Sequence, residues 1–492
     1  MPGEAKKIFR DSIHGYIALP TEWCQQFVDT PIFQRLRRIE QTSIRCLYPC
    51  ATHNRFVHSL GTYHLACMVV KHLFDNSSVL LASISISNED QQRCENSFLV
   101  ASLMHDCAHA PFSHICEHYY DIGGALTPHL LDVMKDDADF THDWTNCEPS
   151  PHEKASAIIL RRHFDQAIRD VGGDPALAAR MIIGCLYDGV DITYLQKLYN
   201  IFISLLNGPA IDVDKLDYII RDTWASGVNN VSIDVDRLLA AIEVKEHEGR
   251  IRTVFRRTAL SVIQQVVDAR NFIYRWIVGH HRVTYDNHLL ETAVKGVAAE
   301  LAKIETANNK PPKGRRKNVI SVTSEDVLAR LFSLDSFERP IDVGGYRFYL
   351  LCDADLIYLF GLFQNEVPEV KEWLHRGQSR FPVWKSYAEF KHHFANVSPA
   401  DCNRMQRHIS EGLLNNIPGG EMCVSVSTRT KDAKIHDGEI MVNIVGDEIK
   451  SFTDLVRRSQ DDDHDLPFFY LYQHNYCMAP KDEIISRLKS SL

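Results

Sequence analysis

The 492-residue sequence predicts a mainly α-helical protein, with a helical core over 1–290 and a smaller α+β region over 291–492. Two observations predict it. Apolar residues recur at helical spacing through most of the first 290 positions. The strand-like runs RIRTVF, YRFYLL, GEIMVNIV and PFFYLYQ fall outside the histidine-rich part of that region. The length suits two or three domains, or one large core with an appended module.

In chain order, residues 1–25 read as an extended lead-in, IFRDSIHGYIAL alternating and punctuated by Gly15. Asp29-Thr30-Pro31 is a helix start signal, followed at helical spacing by Ile32, Leu36 and Ile39. Phe56, Leu60, Tyr63, Cys67 and Val70 describe an amphipathic helix that carries His58. A second helix runs through FLVASLMHD and distorts near Ala110-Pro111, because proline disfavours α geometry in the residue before it. A long polar loop is expected over 135–150, and His152 opens the helix PHEKASAIILRRHF. Further helical patterns cover 177–185, 192–206, 214–224 and 261–278.

Hydrophobic residues at 45% and charged residues at 24% are ordinary for a soluble globular chain. The net charge of −10 disfavours a generic polyanion binder without excluding a local basic pocket. Thirteen cysteines, an odd number without a CxxC pair, and the charged start MPGEAKKIFRD lead us to expect a reducing cytoplasm and no leader. Apolar runs such as SFLVASLM are too short to span a bilayer, so no membrane partner is expected. The basic stretch 310–318 reads as a solvated loop, and nucleic acid contact there is the weaker reading.

Histidine is the compositional outlier: 24 copies, half of them between His53 and His163. His58, the pair His105-Asp106 and Asp214 form a mixed nitrogen and oxygen donor set suited to one borderline or hard divalent cation. No cysteine belongs to it, which argues against a closed structural zinc site and for a centre with room for water and substrate. Taken singly, each histidine is more simply a hydrogen-bonded side chain. Together with His109, His114 and His152 between them, that bland reading weakens.

The segments KIFRDSIHGYI, DTPIFQRLRRIEQ, HNRFVHSLG, HDCAHAPFSH, PHE and IDVDKLDYIIRD occur in that order. Together they resemble the HD-domain deoxynucleoside triphosphate (dNTP) triphosphohydrolases. The branch indicated is that of the sterile-alpha-motif-and-HD-domain dNTPases, here without the sterile-alpha-motif domain. The similarity runs from Lys7 to Arg282 and fades afterwards.

The resemblance implies an HD-domain catalytic core over 1–290 and a region of oligomerisation or regulation over 291–492. It implies one catalytic Fe, Mn, Mg or Zn on His58, His105, Asp106 and Asp214, with Mg accompanying bound nucleotide. In the related enzymes water attacks the α-phosphorus, releasing deoxynucleoside and inorganic triphosphate. Arg55, three residues before His58 on the same helix face, would hold phosphate, as would Lys215 and Arg270; Tyr218 shares the face of Lys215. His152 matches the general acid for the departing 5′ oxygen, supported by His109 and His114. Gln41 and Asp222 match residues that read the sugar 3′ hydroxyl.

Lys7, Asp29, Gln34, Arg37 and Arg237 match positions that hold an activating nucleotide between subunits, so a dimer or tetramer is implied. The bland alternative is a helix start with a solvated basic face. The base-facing stretch departs from the family: Tyr274 replaces a histidine, and Val278 and Gly279 stand where a stacking tyrosine and a glutamine are expected. Base preference therefore does not transfer. A regulated dNTPase with an altered base pocket makes antiviral, antiphage defence an expectation beside control of the precursor pool. The competing readings are an HD phosphodiesterase or nuclease acting on cyclic nucleotides or single strands, and a catalytically idle nucleotide-sensing scaffold.

Overall fold

Two short strands, Lys6–Asp11 and Gly15–Pro20, open the chain as an antiparallel hairpin in which Asp11 faces Gly15. Gly15 takes φ +75 at the turn, a backbone conformation that favours glycine. The computed structural model describes residues 5–83, 86–189, 191–228, 232–247, 250–308, 321–377, 379–428, 436–446, 448–456, 468–476 and 478–492; the basic stretch 310–318 lies outside them.

The predicted start at Asp29-Thr30-Pro31 holds. Thr30 caps the helix Pro31–Arg35 by accepting from the Phe33 amide, and Pro31 supplies a preset φ at the first position. The helix is shorter than its apolar spacing implies: it tightens to a 3₁₀ turn at Leu36–Arg38, and Ile39 is extended.

The core helices Arg55–Ser83, Asn88–Met104, Pro151–His163, Pro175–Ile183, Tyr194–Leu206 and Val213–Ala225 follow the sequence periodicity. Arg55–Ser83 is the central element, packed by Asn88–Met104, Val213–Ala225 and the strand Ile242–His247. The predicted helix over 261–278 begins at Leu260 and passes at Ile273 into a π-helical turn ending at Val278.

Two expectations are corrected. Residues 135–150 are not a plain loop, since they contain the helix Phe140–Asp143 and a 3₁₀ turn at Trp144–Asn146. His105 and Asp106 do not share a helix, which stops at Met104 well before Pro111. Bonds from the Cys107 amide to the Met104 carbonyl and from the His109 amide to the Asp106 carbonyl wind this segment into tight i→i+3 turns. The tighter winding lets neighbouring side chains converge that ideal α geometry would splay by about 100°.

Strands are few and short among the described residues. One sheet runs in the order Ile449–Ser451, Met441–Asn443, Arg250–Arg256, Ile242–His247, with a parallel pairing that sets Phe255 against Val442. Another places Phe469–His474 between Arg380–Pro382 and Val424–Ser427. The helix His281–Asn308 carries the chain from the first region into the second. One hydrophobic cluster extends from Ile17 to Leu488, so the later segments pack onto the helical core. The fold is mainly α with a smaller α+β part, as the sequence predicts.

Candidate active site

Four donor atoms converge where Arg55–Ser83, the 105–109 turn and Val213–Ala225 meet. His58 Nε2 lies 2.9 Å from Asp214 Oδ1, 3.3 Å from His105 Nε2 and 3.7 Å from Asp106 Oδ2. His105 Nε2 lies 3.5 Å from Asp106 Oδ2 and 3.4 Å from Asp214 Oδ1. A divalent ion about 2.1 Å from each ligand holds neighbouring donors roughly 3 Å apart; His58, His105 and Asp106 lie close enough together to share one cation, and Asp214 Oδ1 approaches it from the side of the two imidazoles. His58, His105 and Asp106 are buried, whereas the Asp214 side chain is one-third exposed toward a cavity.

Electrostatics favour positive charge here. Burial opposes protonation of His58, yet Asp214 and Asp217 outweigh it and raise the imidazole to about 10. Burial likewise raises the Asp106 carboxyl, but Arg55, His105 and His58 together hold it below the usual carboxylate range.

Outer contacts aim the two imidazoles. His105 Nδ1 donates to the Ser102 carbonyl at 3.0 Å, and His58 Nδ1 donates to Asp217 Oδ2 at 2.8 Å, which turns both Nε2 atoms toward the centre. Asp217 is held by Arg221 Nε at 2.8 Å and by His14 Nε2 at 2.6 Å, and Arg221 Nη1 reaches Asp11 at 2.9 Å. This network was not read from the sequence, although Asp217 and Arg221 follow at i+3 and i+7 from Asp214 in IDVDKLDYIIRD.

Gly61 makes the network possible: a Cβ there would lie 2.0 Å from Asp217 Oδ1 and 2.5 Å from Arg221 Nη2. Gly61→Ala is expected to displace Asp217, weaken metal binding about 10- to 100-fold and destabilise the fold by about 1–3 kcal/mol. Metal titration and thermal melting would detect both, and unchanged values would mean that the two helices separate freely.

On one flank, Arg55 Nη1 bonds Asp106 Oδ2 at 2.8 Å, its Nε bonds Ser113 Oγ at 3.0 Å and its Nη2 bonds the Gln41 carbonyl at 3.3 Å. His152 Nδ1 sits 2.5 Å from Glu117 Oε2, and Glu117 Oε1 lies 3.2 Å from His114 Nδ1. Burial lowers His152, but Glu117 overrides it and lifts the imidazole to about 9. His109 stacks on His152 at 4.4 Å, stays neutral because burial drives it well below its usual range, and has no hydrogen-bond partner for either ring nitrogen among the described residues. Glu117 was missed by sequence reasoning; its one signal is the i+3 spacing from His114.

Beneath Arg55 and His152 a cavity of about 790 Å³ opens, within the range of small-molecule sites. Lys215, Tyr218, Gln41, Asp222 and Tyr274 all line it, as do Val278 and Gly208. Lys215 is tethered to Asp212 and to the Gly208 carbonyl, while Asp222 accepts from His53 Nε2 at 2.8 Å. Gln41 Oε1 is buried with no hydrogen-bond partner among the described residues. Arg270 does not line the cavity; its guanidinium lies 4.3 Å over the Tyr274 ring.

Of the residues expected to bind an activator, Lys7 pairs with Asp29 at 2.8 Å and Arg37 bonds Gln34 at 2.9 Å while stacking 3.5 Å over Phe56. Arg237 is engaged separately, with the Thr258 carbonyl.

The helical core with its histidine–aspartate centre is consistent with an HD-type fold. Among curated proteins, the chain is 29% identical to the deoxynucleoside triphosphate triphosphohydrolase SAMHD1 of Danio rerio, over 56% of this chain and 43% of that protein. Identity to the SAMHD1 of Homo sapiens is also 29%, over 56% of this chain and 42% of that one. An uncharacterized Mycoplasma genitalium protein is 30% identical over 56% of each. The chain thus spans about half the length of the curated relatives it matches. A solved phosphohydrolase from Bacteroides thetaiotaomicron shares the fold, with a TM-score of 0.59 at 18% identity over 96% of this chain and 99% of that one. No protein-family model matches. These relatives bear out the resemblance to HD-domain dNTP triphosphohydrolases read from the sequence.

Proposed function

We propose that this protein is a metal-dependent phosphohydrolase that cleaves dNTPs to a deoxynucleoside and inorganic triphosphate. The observation that carries the reading is the juxtaposition of a cation-stabilising centre with Arg55, Lys215 and a charged His152–Glu117 pair around one cavity. His58, His105, Asp106 and Asp214 would hold the ion. When bound, it would supply Lewis acidity to a phosphoryl oxygen and lower the pKa of water.

The chain's own residues perform the rest. Arg55 and Lys215 offset charge on the polyphosphate as the α-phosphorus is attacked. His152 keeps Nδ1 against Glu117 and presents the Nε2 proton to the departing 5′ oxygen. Asp222 and the unpartnered Gln41 oxygen suit a sugar hydroxyl at the far end. Activation by a second nucleotide at Lys7, Asp29, Gln34, Arg37 and Arg237, assembly into an oligomer, and a role in antiphage defence extend the same proposal.

Anion-exchange analysis of products from each dNTP, with Mn or Mg and with or without a second dNTP, tests it. Tripolyphosphate is the expected product. Release of phosphate or pyrophosphate would reject the chemistry.

One observation favours a second reading. His109, His114, Glu117 and His152 bring donor atoms within 4.8 Å of one another beside the first centre, as a two-metal HD phosphodiesterase would require. Two metal equivalents per chain, with cleavage of cyclic or diester substrates at rates comparable to dNTPs, would establish that alternative.

A further inference from the structure

The segments that aim Arg55 and His109 are fastened by two buried side chains that no local motif announces. Asp353 opens the helix Asp353–Phe363 in the C-terminal region, beyond the stretch that resembles the family, and is buried. Its Oδ2 accepts from the Glu40 amide at 2.8 Å, and its Oδ1 accepts from the Phe112 amide at 2.7 Å. One carboxylate thus ties together two loops distant in sequence. The first carries Glu40 and Gln41; the second carries Phe112, Ser113 and His114.

Both loops end on Arg55. Ser113 Oγ accepts from Arg55 Nε at 3.0 Å and donates to the Glu40 carbonyl at 2.5 Å, while the Gln41 carbonyl accepts from Arg55 Nη2. Phe112 and Ser113 stand at φ +54 and +52, a left-handed pair that is uncommon for non-glycine residues. Arg35, also fully buried, provides a parallel tie: its Nη2 donates to the His109 carbonyl at 2.7 Å and its Nε to the Leu351 carbonyl at 2.6 Å. Burying a carboxylate and a guanidinium is costly unless each is used. Here the carboxylate holds two backbone amides of the active-site loops, and the guanidinium links the His109 carbonyl to the Leu351 carbonyl of the C-terminal region.

We infer that Asp353, assisted by Arg35, is a positioning residue for the reaction, holding the Glu40–Gln41 and Phe112–Ser113 segments so that Arg55 is aimed at the phosphates. The C-terminal region is on this account a part of the active site. The inference rests on reading the cavity as a phosphohydrolase site.

Asp353→Ala removes both acceptors, and Asp353→Asn removes one and turns an amide donor toward a backbone N–H. Asp355→Asn is the control, because among the described residues Asp355 accepts from its own helix start, at the Cys352 amide and thiol. Steady-state kinetics on the dNTP panel and on bis(p-nitrophenyl) phosphate, metal content and amide exchange over 105–115 would be measured on the full chain. We expect kcat to fall about 30-fold or more in Asp353→Ala and about tenfold in Asp353→Asn. KM should change less than threefold, metal should stay at the wild-type level, and exchange over 105–115 should accelerate. Asp355→Asn should match wild type.

Should Asp353→Ala fail to fold, Asp353→Asn carries the test. Folded variants with wild-type kcat and unchanged exchange would overturn the inference, as would an equal loss in Asp355→Asn. Absence of dNTP hydrolysis in the wild type would defeat only the substrate assignment, since exchange and the diester assay still report on Asp353.

Discussion

Asp106→Ala is expected to lose hydrolytic turnover by on the order of 10³-fold or more, together with its bound metal. Lewis-acid activation contributes several kcal/mol to a phosphoryl-transfer barrier, and each 1.4 kcal/mol is a factor of ten in rate. Asp106 has two tasks in this geometry. Its Oδ2 is one of the four converging donors, and the same oxygen receives Arg55 Nη1 at 2.8 Å. Removing it strips the centre of a ligand and takes the Asp106 counter-ion from a buried guanidinium, a loss that costs about 3–5 kcal/mol when a buried pair is broken. The variant should therefore melt lower than wild type in the metal-free state, which distinguishes it from Asp214→Ala, whose carboxylate is one-third exposed. Elemental analysis of the purified proteins, with turnover before and after chelation and readdition of metal, checks both effects. A metal-free Asp106→Ala protein within tenfold of wild-type turnover would refute the assignment of the centre.

The helices that carry this centre were legible because burial on one face repeats every three to four residues. His58 sits among Phe56, Leu60 and Tyr63, and PHE announces the start of Pro151–His163, where Glu153 Oε2 accepts from the Ser150 amide at 2.6 Å. The end of the Asn88–Met104 helix was not legible. Nothing in LMHDCAHAPFSH marks Met104 as the last helical residue, and the proline that signals a break lies seven positions later. The i→i+3 turns that aim His105 and Asp106 depend on tertiary packing of the segment rather than on its composition.

The residues that support the site were hidden for a related reason. Asp217 and Glu117 sit at i+3 from residues already singled out, a spacing too common on helix faces to stand out alone. His14 and Asp353 act across 203 and 241 positions respectively, and a single long-range hydrogen bond leaves no periodic trace. Local pattern thus singles out most of the candidate residues that the fold gathers around the cavity. The groups that orient them are defined by the folded backbone.

The second large effect is expected at His152 and its partner. Glu117 holds His152 at about 9, so the imidazole is protonated through neutral pH and loses its proton as pH rises through that value. A general acid is competent only in the protonated form, so turnover should hold below about 9 and fall above it. Glu117→Gln keeps a hydrogen-bonding side chain but removes the charge, leaving burial to pull His152 to its ordinary value of about 6.5 or below. The alkaline limb should then move acidward by about 2.5 pH units, cutting activity at pH 8 roughly thirtyfold while restoring part of it near pH 6. His152→Ala removes the proton donor at every pH and should cost on the order of 10²–10⁴-fold, without an alkaline limb. Leaving-group chemistry separates proton donation from mere shape: a p-nitrophenyl ester departs without protonation, so its hydrolysis should suffer far less in His152→Ala than that of a nucleoside triphosphate. Equal losses on both substrates would assign His152 to positioning, and an unshifted limb in Glu117→Gln would remove Glu117 from the proton's control.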